Sequence, residues 1–354
     1  MTEARQAAHN AVEFDKVNIV FGDAPQAALP LMDQGLERGP IKAETGQVLG
    51  VHDCSLTVRE GEILVLMGLS GSGKSTLLRA VNGLNPVCRG EVRIWDGKAM
   101  ASVTKASGTE LRRLRRECIA MVFQQFGLLP WRSVRENVGL GLELAGIPAA
   151  ERRRRVDAQL ATVGLADWAE RKVGDLSGGM QQRVGLARAF ATEAPILLMD
   201  EPFSALDPLI RNRLQDELLE LQQRFRRTII FVSHDLDEAF RIGNRIALME
   251  GGRIVQVGTA REIIAHPANA YVEDFVAHMN PLAVLRAEDM AEPGEAAGLP
   301  IDRQTPVREV IRAMTETGAE MLPLQGGGRV TRQGIMSRLV VRRGQAGGAL
   351  EQPA

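Results

Sequence analysis

Apolar residues occur along this chain in short runs of two kinds, and the two kinds predict different strands. Residues 12–21 alternate between apolar and polar positions, as in a strand with one solvent-facing side. The runs at 63–67 and 196–199 are apolar throughout, and the run at 228–232 is apolar after Thr228, which is typical of strands covered on both faces in a parallel sheet. Helical sequence follows each of them. The pattern therefore predicts an α/β fold around a parallel sheet.

Weaker patterns indicate further elements between these runs. Helical character is present around 27–37 and over most of 136–173. Additional strand patterns lie at 48–58, 91–95 and 119–123. We expect the early alternating strands to form an antiparallel β subdomain and residues of about 100–175 to form a helical subdomain.

The composition changes after about Pro281. Residues 291–300 and 326–328 are rich in glycine and proline, and the last dozen residues are small and polar. We therefore expect a main domain at 12–280, a small C-terminal appendage at 281–342 and a disordered tail at 343–354.

Bulk composition excludes some functions. The formal net charge of -1 over 354 residues gives no general basic field, so nucleic acid is not an expected partner. Cys54, Cys88 and Cys118 are odd in number and lack C-x-x-C spacing, which favours buried thiols in a reducing cytoplasm over a disulfide framework or a zinc site. The strongest apolar run is far shorter than the ~20 residues that span a bilayer. Any work at a membrane would need a membrane-embedded partner.

The segment GLSGSGKST at 68–76 matches G-x-x-x-x-G-K-[ST]. Its glycines permit a tight loop whose backbone N–H groups face phosphate oxygens, and the helix that begins near Lys74 adds its positive end. A chance turn is the alternative, but a strand before and a helix after favour the phosphate loop. Lys74 can reach the β- and γ-phosphates and Ser75 can ligate Mg²⁺. The predicted ATP-binding residues here are Gly68, Leu69, Ser70, Gly71, Ser72, Gly73, Lys74, Ser75 and Thr76.

Acidic residues and a histidine follow two of the predicted strands. Asp200 and Glu201 end the apolar run at 196–199, where ligands of parallel sheets bind. An acidic turn alone would carry no chemistry, but beside a phosphate loop Asp200 is expected to hold Mg²⁺ and Glu201 to activate the attacking water. His234 follows the run at 228–232 and is either structural or a hydrogen-bond donor to the γ-phosphate.

The segment LSGGMQQR at 176–183 carries the family resemblance. By itself it could be a helix start with Ser177 as the N-cap. Together with the phosphate loop and the acidic strand it resembles the signature of ABC transporter ATPases, over residues 12–280. Met180 stands where most signatures have glutamine, so a polar contact specific to that glutamine is in doubt.

The resemblance implies a P-loop ATPase that works as a head-to-tail homodimer. ATP would lie between the phosphate loop of one copy and Ser177, Gly178 and Gly179 of the other. It further implies that Gln124 contacts Mg²⁺ and faces the membrane subunit, that Asp207 lies at the dimer seam and that His234 is a catalytic switch. The implied magnesium ligands are Ser75, Gln124 and Asp200.

Phe21 matches the aromatic residue that stacks on adenine in this family. A long insertion follows it, which weakens the match, and the alternative is a core strand residue.

Several longer segments resemble one branch of the family, the ATPase subunits of quaternary-amine importers. FGLLPW at 126–131, PFSALDPLI at 202–210 and FVAHMNPL at 275–282 are most similar to the choline group, with glycine betaine or proline betaine as the alternative. The resemblance implies an integral membrane permease as direct partner and, indirectly, a substrate-binding protein. It places the chain peripherally on the cytoplasmic face of the inner membrane.

Other interpretations stay open. Residues 300–342 loosely resemble part of a CBS unit, which we expect to be degenerate although a working sensor is the alternative. An ABC ATPase without a transport role would carry a coiled-coil insertion or a duplicated core, which this sequence lacks. A non-enzymatic ATP-binding regulator would lack the base that Glu201 offers.

Overall fold

Most strands that the structure describes belong to two sheets. The computed structural model describes residues 9–124, 127–204, 206–277 and 284–337 and divides the chain into two units, 1–255 and 256–354. In chain order the strands of these two sheets are β1 (Asn10–Phe21), β2 (Val48–Arg59), β3 (Ile63–Met67), β4 (Arg89–Trp95), β5 (Met100–Ser102), β6 (Ile119–Val122), β7 (Ile196–Asp200), β8 (Thr228–Val232), β9 (Arg245–Glu250) and β10 (Arg253–Gly258).

The larger sheet confirms the predicted parallel core. Its six strands have the order β10–β9–β3–β8–β7–β6, and β3 pairs in parallel with both β8 and β9. Every residue of β3, β7 and β8 is buried, as their apolar runs predict. Because β6, β7 and β8 also pair in parallel, the carboxyl ends of these strands lie at one edge. That edge is where ligands of such sheets bind.

The smaller sheet is antiparallel, with the order β2–β1–β4–β5. Residues 12–15 of β1 alternate as predicted, but Asp15 and Lys16 are both exposed and residues 17–20 are all buried. The insertion after β1 accounts for the burial of Val20, because its Ala28, Met32 and Ile41 pack on Val20 and Leu49 and cover the sheet there.

Helices lie between and after the strands. In the first unit they are α1 (Leu29–Asp33), α2 (Arg38–Thr45), α3 (Lys74–Ala80), α4 (Gly108–Glu117), α5 (Val134–Leu144), α6 (Ala149–Thr162), α7 (Gly178–Ala191), α8 (Pro208–Phe225) and α9 (Leu236–Ile242). Ser133 and Glu136 form a capping box at the start of α5, which fixes that helix end.

The helical subdomain lies later in the chain than the interval of about 100–175 predicts. Its apolar cluster draws on α5, α6 and α7, from Val134 to Ala191. Residues 100–102 and 119–122 are instead strands of the two sheets. These strands are too short to show a clear period, and α7 joins the cluster because its apolar face packs on α5 and α6.

The second unit contains two short helices, α10 (Ala260–Ala265) and α11 (Ala270–Ala277), followed by α12 (Val307–Thr317) and a hairpin of β11 (Met321–Pro323) and β12 (Arg329–Thr331). Val307, Val310 and Met314 form the buried stripe of α12. Along the chain, the boundary between the two units falls between residues 255 and 256, before the composition change. The domain boundary at 280 therefore stays a prediction. The tail predicted at 343–354 lies outside the described residues.

Among the described residues, no helix combines the length and apolar character needed to cross a bilayer.

Candidate active site

A cleft of about 590 Å³ opens at the carboxyl edge of the larger sheet. This volume lies within the usual range of small-molecule sites. Most of the predicted ATP-binding residues meet there, together with residues of β2 and of the insertion. The lining residues are Phe21, Arg38, Val48, Leu49, Gly50, Ser70, Gly71, Gly73, Lys74, Ser75, Thr76, Glu201 and His234.

The phosphate loop has the backbone that its glycines permit. Gly68 has a φ of 143°, and a Cβ atom there would lie 2.1 Å from the carbonyl oxygen of Met249. Gly73 has a φ of 102°, and its Cβ would lie 2.7 Å from the carbonyl oxygen of Gly50. Side chains at these positions would be both strained and blocked, so glycine is required for the loop to pass.

Lys74 is buried within this loop. Its ammonium group donates to the carbonyl oxygens of Gly68 at 2.9 Å and Leu69 at 3.0 Å. Burial lowers the pKa of Lys74, while the nearby carboxylates of Glu201 and Asp200 raise it. The buried Ser72 hydroxyl has no hydrogen-bond partner within the described protein. A cation and an unsatisfied hydroxyl in one loop suit an anionic ligand.

Asp200 is held between Ser75 and Arg79. Ser75 Oγ donates to Asp200 Oδ1 at 2.6 Å, and Arg79 donates to Oδ2 from Nε at 3.1 Å and from Nη2 at 2.8 Å. The two carboxylate oxygens therefore have different partners. Arg79 holds Oδ2, and Oδ1 faces Ser75 of the phosphate loop. Arg79 belongs to no sequence motif that marks it as part of the site.

The oxygen atoms beside Ser75 fit a magnesium ion. Ser75 Oγ and Asp200 Oδ1 are 2.6 Å apart. Neighbouring ligands of octahedral Mg²⁺ lie roughly 3 Å apart, and Mg²⁺ prefers carboxylate and hydroxyl oxygens. The described residues contain no cluster of three or more His, Cys, Asp or Glu side chains that could hold a metal alone. Such an ion would therefore also need phosphate oxygens or water, which is how Mg²⁺ binds nucleotides.

Glu201 is the residue where the predicted catalytic side chains converge. Its carboxylate Oε2 is 3.4 Å from Gln124 Nε2 and 3.3 Å from His234 Nδ1. Its φ of 45° places a non-glycine residue in the left-handed region, which costs about 1–3 kcal/mol and is common at functional sites. The strained turn directs the side chain out of the buried strand β7 and into the cleft.

A buried polar network supports the segment that carries His234. Ser233 Oγ donates to Glu238 Oε2 at 2.5 Å, and Gln215 Nε2 donates to Glu238 Oε1 at 3.0 Å. Burial raises the pKa of Glu238, against the effect of these hydrogen bonds. Asp235 caps α9 by accepting from the Glu238 backbone N–H at 3.0 Å. Glu238 is another supporting residue that the sequence analysis missed, because its partner on α8 is remote in sequence.

The predicted signature lies outside the cleft. Ser177 is the N-cap of α7, accepts a hydrogen bond from the Met180 N–H at 3.4 Å and is exposed. None of the described residues that line the cleft comes from 177–179. Met180 packs against the helical cluster, so an apolar side chain is accommodated there.

Asp207 lies on the same surface as the signature. It caps α8 by accepting from the Ile210 N–H at 3.1 Å, and it is exposed. A Cβ atom on Gly179 would lie 3.2 Å from the Ile210 side chain, so the starts of α7 and α8 are close together. The two segments thus lie together at an exposed surface, and neither contributes a residue to the described lining of the cleft.

Phe21 ends β1 at the mouth of the cleft. Its side chain is 39% exposed, so the alternative of a core strand residue is wrong. The ring lies beside Val48 and Leu49 of β2 in the cleft lining. A flat apolar face at this position suits an aromatic base.

Comparisons with known proteins agree with this geometry. Residues 51–204 match the model of the ABC transporter family. The glycine betaine/proline betaine transport system ATP-binding protein ProV of Escherichia coli is 52% identical over 280 residues, which cover 79% of this chain and 69% of that protein. The trimethylamine N-oxide transport system ATP-binding protein TmoW of Ruegeria pomeroyi is 40% identical, over 91% of this chain and 94% of that protein.

A solved structure is similar as well. The dimeric post-hydrolysis state of an ATP-binding cassette bound to ADP and Pi superposes with a TM-score of 0.59 and 31% identity, and covers 71% of this chain and 99% of that one. The phosphate loop, the acidic strand and the signature all fall within the matched family range. The chain belongs to the ABC transporter family and is an ATPase in the group of ATP-binding subunits that includes the betaine transport proteins.

Proposed function

We propose that this chain binds ATP with Mg²⁺ and hydrolyses it at a site that a second copy completes. Hydrolysis thereby energises the import of a quaternary amine, and choline is the proposed substrate. One observation carries the proposal. Lys74, Ser75 and Glu201 line one cleft, and Asp200 lies behind it in hydrogen-bond contact with Ser75. Ser177 is exposed and is not among the residues that line this cleft. A second copy arranged head to tail would bring its signature to the open side of the cleft.

The chain's own residues have separate roles in the proposed reaction. Phe21 stacks on adenine, and the loop at 68–76 with Lys74 holds the phosphates. Ser75, Gln124 and Asp200 would hold Mg²⁺, which neutralises phosphate charge when bound. Glu201 orients the attacking water and accepts its proton.

The proposed dimer completes the site around the γ-phosphate. His234 donates a hydrogen bond to it, and Ser177, Gly178 and Gly179 of the second copy close the other side. Asp207 lies at the seam between the copies. Closure excludes bulk water, which strengthens the charge interactions inside. ATP stabilises the closed pair more than ADP does, so hydrolysis reopens it.

The proposed partner is an integral membrane permease, with this chain attached peripherally at the cytoplasmic face of the inner membrane. Gln124 is exposed and lies in the chain between β6 and the helical subdomain. A contact that changes at Gln124 with the nucleotide could move that subdomain against a permease helix. A substrate-binding protein outside the membrane would deliver the amine.

The alternative substrates are glycine betaine and proline betaine. Their support is the ProV relative, whose name specifies both. The choline proposal depends on the segments at 126–131, 202–210 and 275–282, of which residues 126, 205 and 278–282 lie outside the described residues. All three substrates carry a methylated ammonium group of the kind that aromatic cages bind.

One transport experiment distinguishes these substrates. The chain would be reconstituted in lipid vesicles with its permease and substrate-binding protein, and ATP hydrolysis measured with choline, glycine betaine, proline betaine or trimethylamine N-oxide. The proposal expects choline to stimulate hydrolysis most. Strongest stimulation by a betaine would replace choline with the alternative, and no stimulation by any amine would refute the importer assignment.

We propose that the segment 281–342 is a degenerate CBS-like unit without a sensing role. Within it, Ile301 forms a parallel bridge with Leu324, and α12 lies between them in the chain, a strand–helix–strand order. A chain that ends at residue 280 should keep its ATP hydrolysis and the response of transport to ionic strength. Loss of that response would show the alternative, a working sensor.

Asp200→Asn is expected to raise the Mg²⁺ concentration needed for half-maximal ATP hydrolysis at least about tenfold, because a neutral amide binds Mg²⁺ more weakly than a carboxylate. The matched control is Asp216→Asn, whose carboxylate pairs with Arg241 on the surface at 2.6 Å. Titration of activity with MgCl₂ at fixed ATP measures the effect. An unchanged Mg²⁺ requirement in Asp200→Asn would remove Asp200 from the metal site.

A further inference from the structure

The insertion between β1 and β2 reaches the nucleotide cleft through one side chain. Arg38, the first residue of α2, donates from Nη1 to the carbonyl oxygen of Gly71 in the phosphate loop. From Nη2 it donates to the carbonyl oxygen of Gly50 in β2 at 2.7 Å. Both carbonyls belong to residues that line the cleft. One guanidinium therefore joins two walls of the site.

Gly50 marks a narrow point of the cleft. A Cβ atom there would lie 2.8 Å from the Phe21 ring and 3.1 Å from the Thr76 side chain. The carbonyl oxygen of Gly50 is also within 2.7 Å of the position that a Cβ on Gly73 would occupy. The backbone of β2 thus lies close to the predicted adenine side and to the phosphate loop. Arg38 fixes the distance between β2 and the phosphate loop by donating to the carbonyl oxygens of both Gly50 and Gly71.

Apolar packing of the insertion against the antiparallel sheet sets the position of Arg38. Met32 and Ile41 of the insertion are 2% and 0% exposed and pack with Val20 and Leu49 of the antiparallel sheet. Partial burial lowers the pKa of Arg38, yet a guanidinium stays charged near neutral pH. Its Nε atom is buried without a hydrogen-bond partner within the described protein. The insertion thus holds a cation at the cleft in addition to Lys74.

We propose that Arg38 is a positioning residue for ATP, so that the insertion forms part of the nucleotide site: the guanidinium holds the phosphate loop against β2 and adds positive charge beside the phosphates. This inference depends on the proposed nucleotide site. Without Arg38 the carbonyl oxygens of Gly50 and Gly71 lose a charged hydrogen-bond donor. The distance between the phosphate loop and β2, which lies beside Phe21, is then no longer fixed. The effect should fall on nucleotide affinity, because Glu201 and its partners at the reacting end do not contact Arg38.

The test compares Arg38→Met and Arg38→Lys with the parent chain, using binding of a fluorescent ATP analogue and the KM and kcat of ATP hydrolysis. Arg38→Met should raise the Kd and KM for ATP roughly tenfold, the size of one charge-assisted hydrogen bond, and change kcat by less than about twofold. Arg38→Lys keeps the charge and a nitrogen that can donate hydrogen bonds, so it should recover most of the affinity. In Arg38→Met, the affinity for ADP should fall by the same factor as the affinity for ATP, because both nucleotides occupy the same loop.

The matched control is Arg89→Met. Arg89 also ties the insertion to the sheet, through an ion pair with Asp33 at 2.7 Å, but it does not line the cleft. This variant should bind ATP like the parent. Equal weakening by Arg89→Met and Arg38→Met would reduce Arg38 to a docking contact, and parental affinity in a folded Arg38→Met chain would overturn the inference. Failure of the parent itself to bind ATP would instead overturn the proposed function.

Discussion

Glu201→Gln is expected to slow ATP hydrolysis by at least about a hundredfold while ATP stays bound, since a positioned general base contributes about 10²–10⁴-fold. The amide has nearly the shape of the carboxylate but cannot accept the proton of the attacking water. Glu201 is the residue to which both Gln124 and His234 point, at 3.4 and 3.3 Å. With ATP not consumed, the closed pair should accumulate as a stable dimer.

Phosphate release and light scattering after size-exclusion chromatography measure the two effects. Glu220→Gln, an exposed position on α8, makes the same chemical change elsewhere and should behave like the parent. Hydrolysis at the parental rate in Glu201→Gln would show that another group is the base.

Lys74→Ala is expected to weaken ATP binding by about a hundredfold or more. In the parent the ammonium group is buried and donates to the carbonyl oxygens of Gly68 and Leu69. In the ATP complex, phosphate oxygens would replace these carbonyls as its hydrogen-bond acceptors. A charge-assisted hydrogen bond to phosphate contributes about 1.5–3 kcal/mol, and a buried lysine facing two phosphates makes more than one.

The measurement is equilibrium binding of a fluorescent ATP analogue, with the melting temperature as a check on folding. Lys98→Ala, in an exposed turn after β4, is the matched control and should leave the affinity unchanged. If Lys74→Ala bound ATP as tightly as the parent, the phosphates would have to bind elsewhere.

Local patterns predicted the parts of the molecule that local sequence determines. The apolar runs of β3, β7 and β8 gave the parallel core, and the glycine spacing of 68–76 gave the loop that lies beside it. Parallel strands align their carboxyl ends, so Asp200 and Glu201 could be expected at the same edge as the loop. The roles of these residues in catalysis remain predictions.

Contacts between distant segments could not be predicted in the same way. Arg79 pairs with Asp200 across 121 positions, and Arg38 reaches the loop from an insertion with no motif of its own. The burial of Val20 near the end of β1 depends on helices that pack on it from that insertion. A single sequence shows residue types and periods, whereas these contacts depend on the assembled fold.

The central claim is that each ATP site uses residues of two copies, and mixing two inactive variants tests it most directly. Lys74→Ala disables the loop half of the site, and Ser177→Arg blocks the signature half. Each chain alone should hydrolyse almost no ATP. A mixed dimer has one site with an intact loop and an intact signature, so an equal mixture should recover up to roughly a quarter of the parental ATPase rate. An equal mixture that stays as inactive as the separate variants, although the two chains form mixed dimers, would contradict a site shared between copies.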